Sequence, residues 1–368
     1  MSFPKPCPVL LLTRSLGLGG TERQLTEIAK ALDHEAFAPH VGCFHAEGFR
    51  AEELRAAGVP VVQFPVTSFV SPSAIGGLLA MGRYLREHAI QLVHTFDVPL
   101  NLFGVPAARL FRVPRVLSSQ RAHRALTPGL RRRLLRLTDR MVDGIVVNSE
   151  AVRRELIEAD RVPPRLIHLC YNGIDTASFQ SSRSPASGPV VIGVICALRP
   201  EKGLPTLLEA FARLHAPPGA AQLRIVGSGP SLSSLQELAQ KLALGGRCTF
   251  EPATKDVPAA LERIDVFVLP SLSEALSNSL MEAMASGCCV VASKTGGNPE
   301  LVVDRQCGLL FPPGDSAALA ACLDLLLRNA AMRAGLAAAA AERMRTAFTI
   351  EQAARRMAEI YRKIFHGF

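Results

Sequence analysis

Short apolar runs take turns with helix-period segments from one end of this chain to the other, and that alternation admits few folds. "PVLLLT" is followed by "TERQLTEIAKAL", "HVGCF" by "FRAEELRAAG" and "IQLVHTF" by "VPLNLFGVPAARLF", while "RVLSSQ" and "GIVVNS" continue the series. The pattern begins again with "VVIGVICAL" before "GLPTLLEAFARLH" and runs on through "AQLRIVGSG", "DVFVLPS", "CCVVAS" and "CGLLFPPG". Strand and helix in turn imply parallel strands joined by crossover helices, the doubly wound α/β layout. Between the two series lies "QSSRSPASGP", a Ser/Pro/Gly stretch without apolar period. The sequence therefore predicts a first domain over 1–179, a linker over 180–189, a second domain over 190–347, and a C-terminal helix over 348–368 that packs back toward the first domain. A chain of 368 residues with 48% hydrophobic content is long enough for two cores.

Several function classes drop out on composition. The nine cysteines are an odd number with no Cys-x-x-Cys pair, which reads as reduced, buried thiols in a cytoplasmic protein. No apolar run approaches the roughly 20 residues of a membrane span, and Met1–Leu12 lacks a basic start followed by a signal core. No two aspartates sit two apart and no histidines cluster, so no metal is expected. The formal charge is +9, and seven arginines (Arg121, Arg124, Arg131, Arg132, Arg133, Arg136 and Arg140) crowd into one segment. There Leu130, Leu134, Leu137 and Met141 recur at helical spacing, which predicts an apolar inner stripe and a basic outer face. Such a face is either simply solvated or attracted to anionic headgroups or a pyrophosphate. Nucleic acid is not expected, because aromatics are only 5% and no nucleic-acid motif accompanies the arginines.

The chemistry-bearing residues fall at predicted strand ends. The first strand runs into "SLGLGGTERQL", a glycine turn whose following helix start offers free amides to an anion, although such turns also serve plain packing. Gly17, Gly19 and Gly20 do not match Gly-x-Gly-x-x-Gly, which argues against a dinucleotide enzyme. His94 closes "IQLVHTF" at the edge where doubly wound sheets bind ligands; a lone histidine there is either structural or catalytic. "ALRPEKG" brings Arg199 and Lys202 to a strand end before a helix, a pairing that suits a diphosphate or a solvated turn. In "SEALSNSLMEAMASG", Glu274 lies in the loop after a strand, and a helix starting at Asn278 or Ser279 carries Glu282. From about 1.5 Å rise per residue the two acids lie roughly 10 Å apart, too far to share a proton. They suit the two ends of one hydroxyl-rich ligand, with the helix amides between them for phosphate; the alternative is two acids paired to neighbouring cations.

In their order, "SLGLGGTERQL", "VHTFDVPLNLFG", "YNGIDTASF", "LRPEKGLPTLLEAF", "IVGSGP", "SEALSNSLMEAMASGCCVVAS" and "CGLLFPPGD" span nearly the whole chain. The chain resembles the retaining glycosyltransferases of family 4, of bacterial surface-polysaccharide type. The resemblance implies the GT-B fold, two Rossmann-like domains facing a cleft, with a nucleotide-sugar donor on the second domain and the acceptor on the first. It makes Glu282 the acid on the donor ribose, Glu274 the acid facing the donor sugar, and Lys202 the grip on the diphosphate. Arg199 and the amides of Asn278, Ser279 and Leu280 join the donor site, Gly19 and Gly20 approach the phosphates, and His94 lies near the donor sugar and acceptor. The donor would be a UDP-, GDP- or ADP-sugar, the acceptor a glycan or lipid-linked glycan at the inner face of the plasma membrane, with no cofactor beyond the donor. Four positions depart from the family pattern: Ala197 where many members have arginine, Ala275 and Ser277 for Gly and Pro after the first glutamate, and Phe96 for a second histidine. Two alternatives accompany this reading: a non-hydrolysing sugar-nucleotide epimerase, and a non-catalytic nucleotide-sugar binding protein.

Overall fold

Strands of a parallel sheet are covered on both faces, so they must be apolar along their whole length rather than alternating. The first strand meets that condition: Val9 to Leu12 are all fully buried. A computed structural model describes residues 6–127, 129–179, 188–215, 217 and 219–366. Its first sheet contains β1 (Cys7–Ser15), β2 (Phe37–His45), β3 (Val61–Gln63), β4 (Leu92–Thr95), β5 (Arg115–Gln120), β6 (Gly144–Val147) and β7 (Ile167–Leu169). They lie in the order β3-β2-β1-β4-β5-β6-β7, with all paired strands parallel. The second sheet contains β8 (Val190–Ile195), β9 (Ala221–Val226), β10 (Cys248–Glu251), β11 (Val266–Leu269), β12 (Cys289–Ser293) and β13 (Leu309–Phe311). Its order is β10-β9-β8-β11-β12-β13, again parallel. Strand order reverses between β1 and β4 in one sheet and between β8 and β11 in the other. Doubly wound sheets open a crevice for ligands at the carboxyl ends of such strands.

The chain divides into two compact units, one of Met1–Gly173 with Ile350–Phe368, the other of Ile174–Thr349. The division falls earlier than the expected end at 179, so the short helix Thr176–Phe179 clusters with the second unit. Residues 180–187 of the expected linker lie outside the described residues. The helix Ile350–His366 puts Met357, Ala358, Tyr361 and Ile364 into the first unit's core beside Phe37 and Leu92. All nine cysteines are unpaired, but Cys196, Cys248 and Cys322 are only half-buried, against the expectation of uniformly buried thiols. Among the described residues no helix is long and apolar enough to cross a membrane.

Candidate active site

In the second unit, β8 and β11 flank the reversal point, and the loops that leave them are tied together. After β8 the chain makes a short turn, Pro200–Lys202, and passes through Gly203 at φ 62° into the helix Leu204–Ala212. Leu272 N–H, from the loop after β11, donates to the Glu201 carbonyl at 2.8 Å. Gly203 lies so close to the other loop that a Cβ there would stand 2.2 Å from the Pro270 carbonyl oxygen. Both its left-handed backbone and this close approach demand glycine. Gly203→Ala is expected to destabilise the second unit by about 2 kcal/mol or more, read as a lower urea midpoint.

This junction brings Lys202 Nζ to 2.7 Å from Glu274 Oε2, with Ser271 Oγ donating to the same oxygen at 3.2 Å. Burial alone would lower the Lys202 pKa, but the adjoining carboxylate outweighs it and holds the ammonium above its ordinary value. The diphosphate cation and the sugar-facing acid of the sequence reading are thus direct partners. Arg199 is largely exposed, with a guanidinium nitrogen 4.0 Å from Glu201, and Ala197 beside it is exposed too.

The helix Asn278–Ala285 begins at the expected place. Ser277 caps it, its hydroxyl accepting from Leu280 N–H at 3.3 Å, so one of the amides expected to be free for phosphate already has a partner. Asn278 and Ser279 occupy the first turn, half-buried. Glu282 is 7% exposed and lies between the buried Met281 and Ala283.

In the first unit, Gly19 caps the helix Gly20–Ala31 in extended conformation. The space over it holds Glu22: a Cβ on Gly19 would meet its carboxylate at 2.1 Å, and Ser15 Oγ donates to Glu22 Oε1 at 3.1 Å. A phosphate near Gly19 and Gly20 therefore requires that side chain to swing away.

His94 is corrected by the structure. It lies within β4, fully buried, with Nδ1 2.8 Å from Tyr361 Oη and Nε2 2.9 Å from Ser119 Oγ. Burial, helped by the positive Arg121, pushes its pKa down to about 3. Both ring nitrogens are engaged inside the core, so in this state the imidazole presents no free nitrogen to a ligand.

The expected basic outer face needs a second correction. Arg124 is 1% exposed and pairs with Asp139 at 2.6 and 2.8 Å; Arg121 lies over the Phe96 ring and donates to Asn172. Leu130, Leu134 and Leu137, expected inside, face solvent, and the helix Gly129–Thr138 buries Leu135 and Thr138 instead.

Two residues at the reversal point of the first sheet were missed. One is Glu22; the other is Asp97, which caps the helix Val98–Leu110 through Leu100 N–H at 2.9 Å and accepts from Arg14 N–H at 2.7 Å. Burial raises the Asp97 pKa against those hydrogen bonds. An acid just before Val-Pro at a helix start was the available signal. At the same sheet edge is a cavity of about 510 Å³, lined by Arg14, His45, Arg131, Phe44, Phe69 and Val98 among others.

Comparison with known proteins gives these two units a family. A model described as Glycosyltransferase Family 4 matches residues 18–178, and one described as Glycosyl transferases group 1 matches residues 176–343. A GDP-mannose-dependent alpha-(1-6)-phosphatidylinositol monomannoside mannosyltransferase of Mycobacterium tuberculosis is 30% identical over 329 residues, covering 82% of this chain and 84% of that protein. The chain belongs to glycosyltransferase family 4. Among solved structures, Anabaena HepE in complex with UDP and glucose superposes with a TM-score of 0.85 at 24% identity, covering 96% of this chain and 99% of that one. WaaG, a glycosyltransferase involved in lipopolysaccharide biosynthesis, superposes at 0.75 with 18% identity, covering 96% and 99%. Both share the fold of this family 4 member, GT-B. Membership sets it apart from the epimerase alternative.

Proposed function

We propose that this glycosyltransferase moves a sugar, with retention of anomeric configuration, from a UDP-, GDP- or ADP-sugar to a glycan or lipid-linked acceptor in surface polysaccharide or lipopolysaccharide biosynthesis. The reaction would take place at the cytoplasmic side of the membrane. The observation that carries the reading is the Lys202–Glu274 pair, built by the loops leaving β8 and β11 beside the start of the helix Asn278–Ala285. Lys202 and Arg199 would balance the charge growing on the departing diphosphate, aided by the amides of Asn278, Ser279 and Leu280, without a metal. A phosphate oxygen there would compete with the Ser277 hydroxyl for Leu280 N–H. Glu274 would accept hydroxyls of the donor sugar, and Glu282 those of the ribose. The diphosphate, leaving from the face the acceptor attacks, would take up the acceptor proton, which needs no protein base and fits the buried state of His94. The mycobacterial relative is named for a GDP-mannose donor and a phosphatidylinositol-based acceptor. In the first unit, the cavity of Arg14, Arg131, Phe44 and Phe69 would suit an acceptor with an anionic group next to an apolar part.

The test is thermal shift of the purified protein against UDP, GDP and ADP, repeated on Glu282→Ala. One nucleotide is expected to stabilise the wild type by about 2.7 kcal/mol at a hundredfold its Kd, with most of that lost in the variant. Binding by none of the three would remove the donor site. Binding without turnover on any acceptor would favour the non-catalytic alternative.

A further inference from the structure

The leucines turned outward on the first unit have a structural cause. Asp160, whose side chain is fully buried, accepts from Arg132 Nε at 3.0 Å and Arg136 Nε at 3.1 Å. These two pairs draw one side of the helix Gly129–Thr138 toward the body of the unit. The opposite stripe is left in solvent, with Leu130 72% and Leu137 54% exposed, Leu134 at 41%, and Leu126 just before the helix at 56%. Arg131, Arg133 and Arg140 stand exposed alongside, with no ion-pair partner among the described residues. Leu126 to Leu137 contains no acidic residue.

A second apolar ledge lies near. Phe69 and Val70 are exposed, as are Ile75 and Leu79 on the helix Pro72–Glu87. Both helices pack against Val98–Leu110, and Arg131 lines the same cavity as Phe69 and Val70. The cavity therefore opens between two exposed apolar segments, one of them studded with unpaired arginines.

We infer that this face docks on an anionic lipid bilayer, with Leu126, Leu130, Leu134 and Leu137 entering the headgroup boundary and Arg133 and Arg140 meeting its phosphates. Leucines interleaved with cations and no acids are complementary to such a boundary, where apolar burial and charge attraction act together. A second copy of this face would bring arginine against arginine. Docking places the mouth of the Arg131 cavity at the level of the headgroups. It stands whether or not the acceptor is a lipid, because its test uses no donor or acceptor.

The full chain is floated with vesicles of phosphatidylcholine, with and without phosphatidylglycerol. Binding is expected only to the anionic vesicles. It should fall about a hundredfold in Leu130→Ser/Leu134→Ser/Leu137→Ser and about tenfold in Arg133→Gln/Arg140→Gln. High salt should weaken the wild type but leave the arginine variant nearly unchanged. The leucine variant should melt with the wild type, since those side chains are outside the core; a large fall in its melting temperature would overturn the inference. So would equal binding by wild type and variants, binding by neither, or a concentration-dependent dimer that the leucine variant abolishes.

Discussion

Lys202→Ala is expected to lower the rate of nucleotide release from the donor sugar by about a thousandfold, with a smaller loss of donor affinity. In the proposed reading the ammonium would act where charge grows as the diphosphate departs, and an interaction that strengthens in the transition state is felt mainly in kcat. Its location is enforced: the loops after β8 and β11 are joined by Leu272 N–H to the Glu201 carbonyl, and Gly203 lies under Pro270. In the absence of phosphate the charge is held by Glu274 at 2.7 Å. Removing it would leave a half-buried carboxylate, still accepting from Ser271, beside the proposed diphosphate, which would add repulsion to the lost attraction. The effects of Lys202→Ala and Glu274→Gln should therefore not add. The double variant is expected to lose less than the product of the two single losses, because the neutral amide no longer repels the phosphate. Initial rates with the nucleotide-sugar that the wild type binds would decide it. A loss below about threefold for Lys202→Ala would leave the pair a structural ion pair and nothing more.

The alternation of apolar runs and helical periods made the two sheets readable, because parallel pairing demands strands apolar on both faces and leaves little else to choose. The positions of Lys202 and Glu274 were readable for the same reason: a strand end fixes where its loop emerges, and the two residues follow strands that neighbour each other at the reversal point. Their direct pairing was not readable, since it depends on the bond from Leu272 to Glu201, a contact between loops far apart in sequence. His94 shows the limit more sharply. Its strand and edge were correctly located, but a strand end does not say which way a ring turns, and the group that closes over it is Tyr361, 267 residues away. The basic helix was misoriented because its pattern fits two faces. Leu130, Leu134 and Leu137 make one apolar stripe, Leu135 and Thr138 a shorter one, and the buried Asp160 chooses the shorter by pulling Arg132 and Arg136 inward. Glu22, by contrast, lay within the quoted glycine turn and was passed over; an acid in a helix's first turn competes with any phosphate for the same amides.

The second large effect expected is a loss of stability in mild acid that runs through His94. In the folded chain its pKa is pushed down to about 3 by burial, while the unfolded value is 6.5. Above pH 6.5 the ring is neutral in both states and carries no penalty. Below it the unfolded chain takes up a proton that the folded chain refuses, and the folded state loses about 1.4 kcal/mol per pH unit until the folded pKa is reached. Between pH 6.5 and about pH 5 that amounts to roughly 2 kcal/mol. His168, pushed down to about 4 by burial and by Lys363 and Arg356, works in the same direction. Asp97 works against them: its raised pKa lets the folded state bind a proton more readily than the unfolded chain, so it gains as the pH falls through that value. Urea unfolding followed on the transition of the first unit, at steps from pH 7 to pH 5, should show the fall in wild type. In His94→Gln the slope should be shallower by about 1.4 kcal/mol per pH unit, on a lower baseline because the bonds to Tyr361 and Ser119 are weakened. Equal slopes in the two proteins would mean that the ring titrates normally and is reached by water. That result would restore His94 as a group able to exchange protons at neutral pH, and a pH–rate profile with an inflection lost in His94→Gln would then follow. With the ring buried and neutral, transfer measured between about pH 5 and pH 8 contains no such inflection.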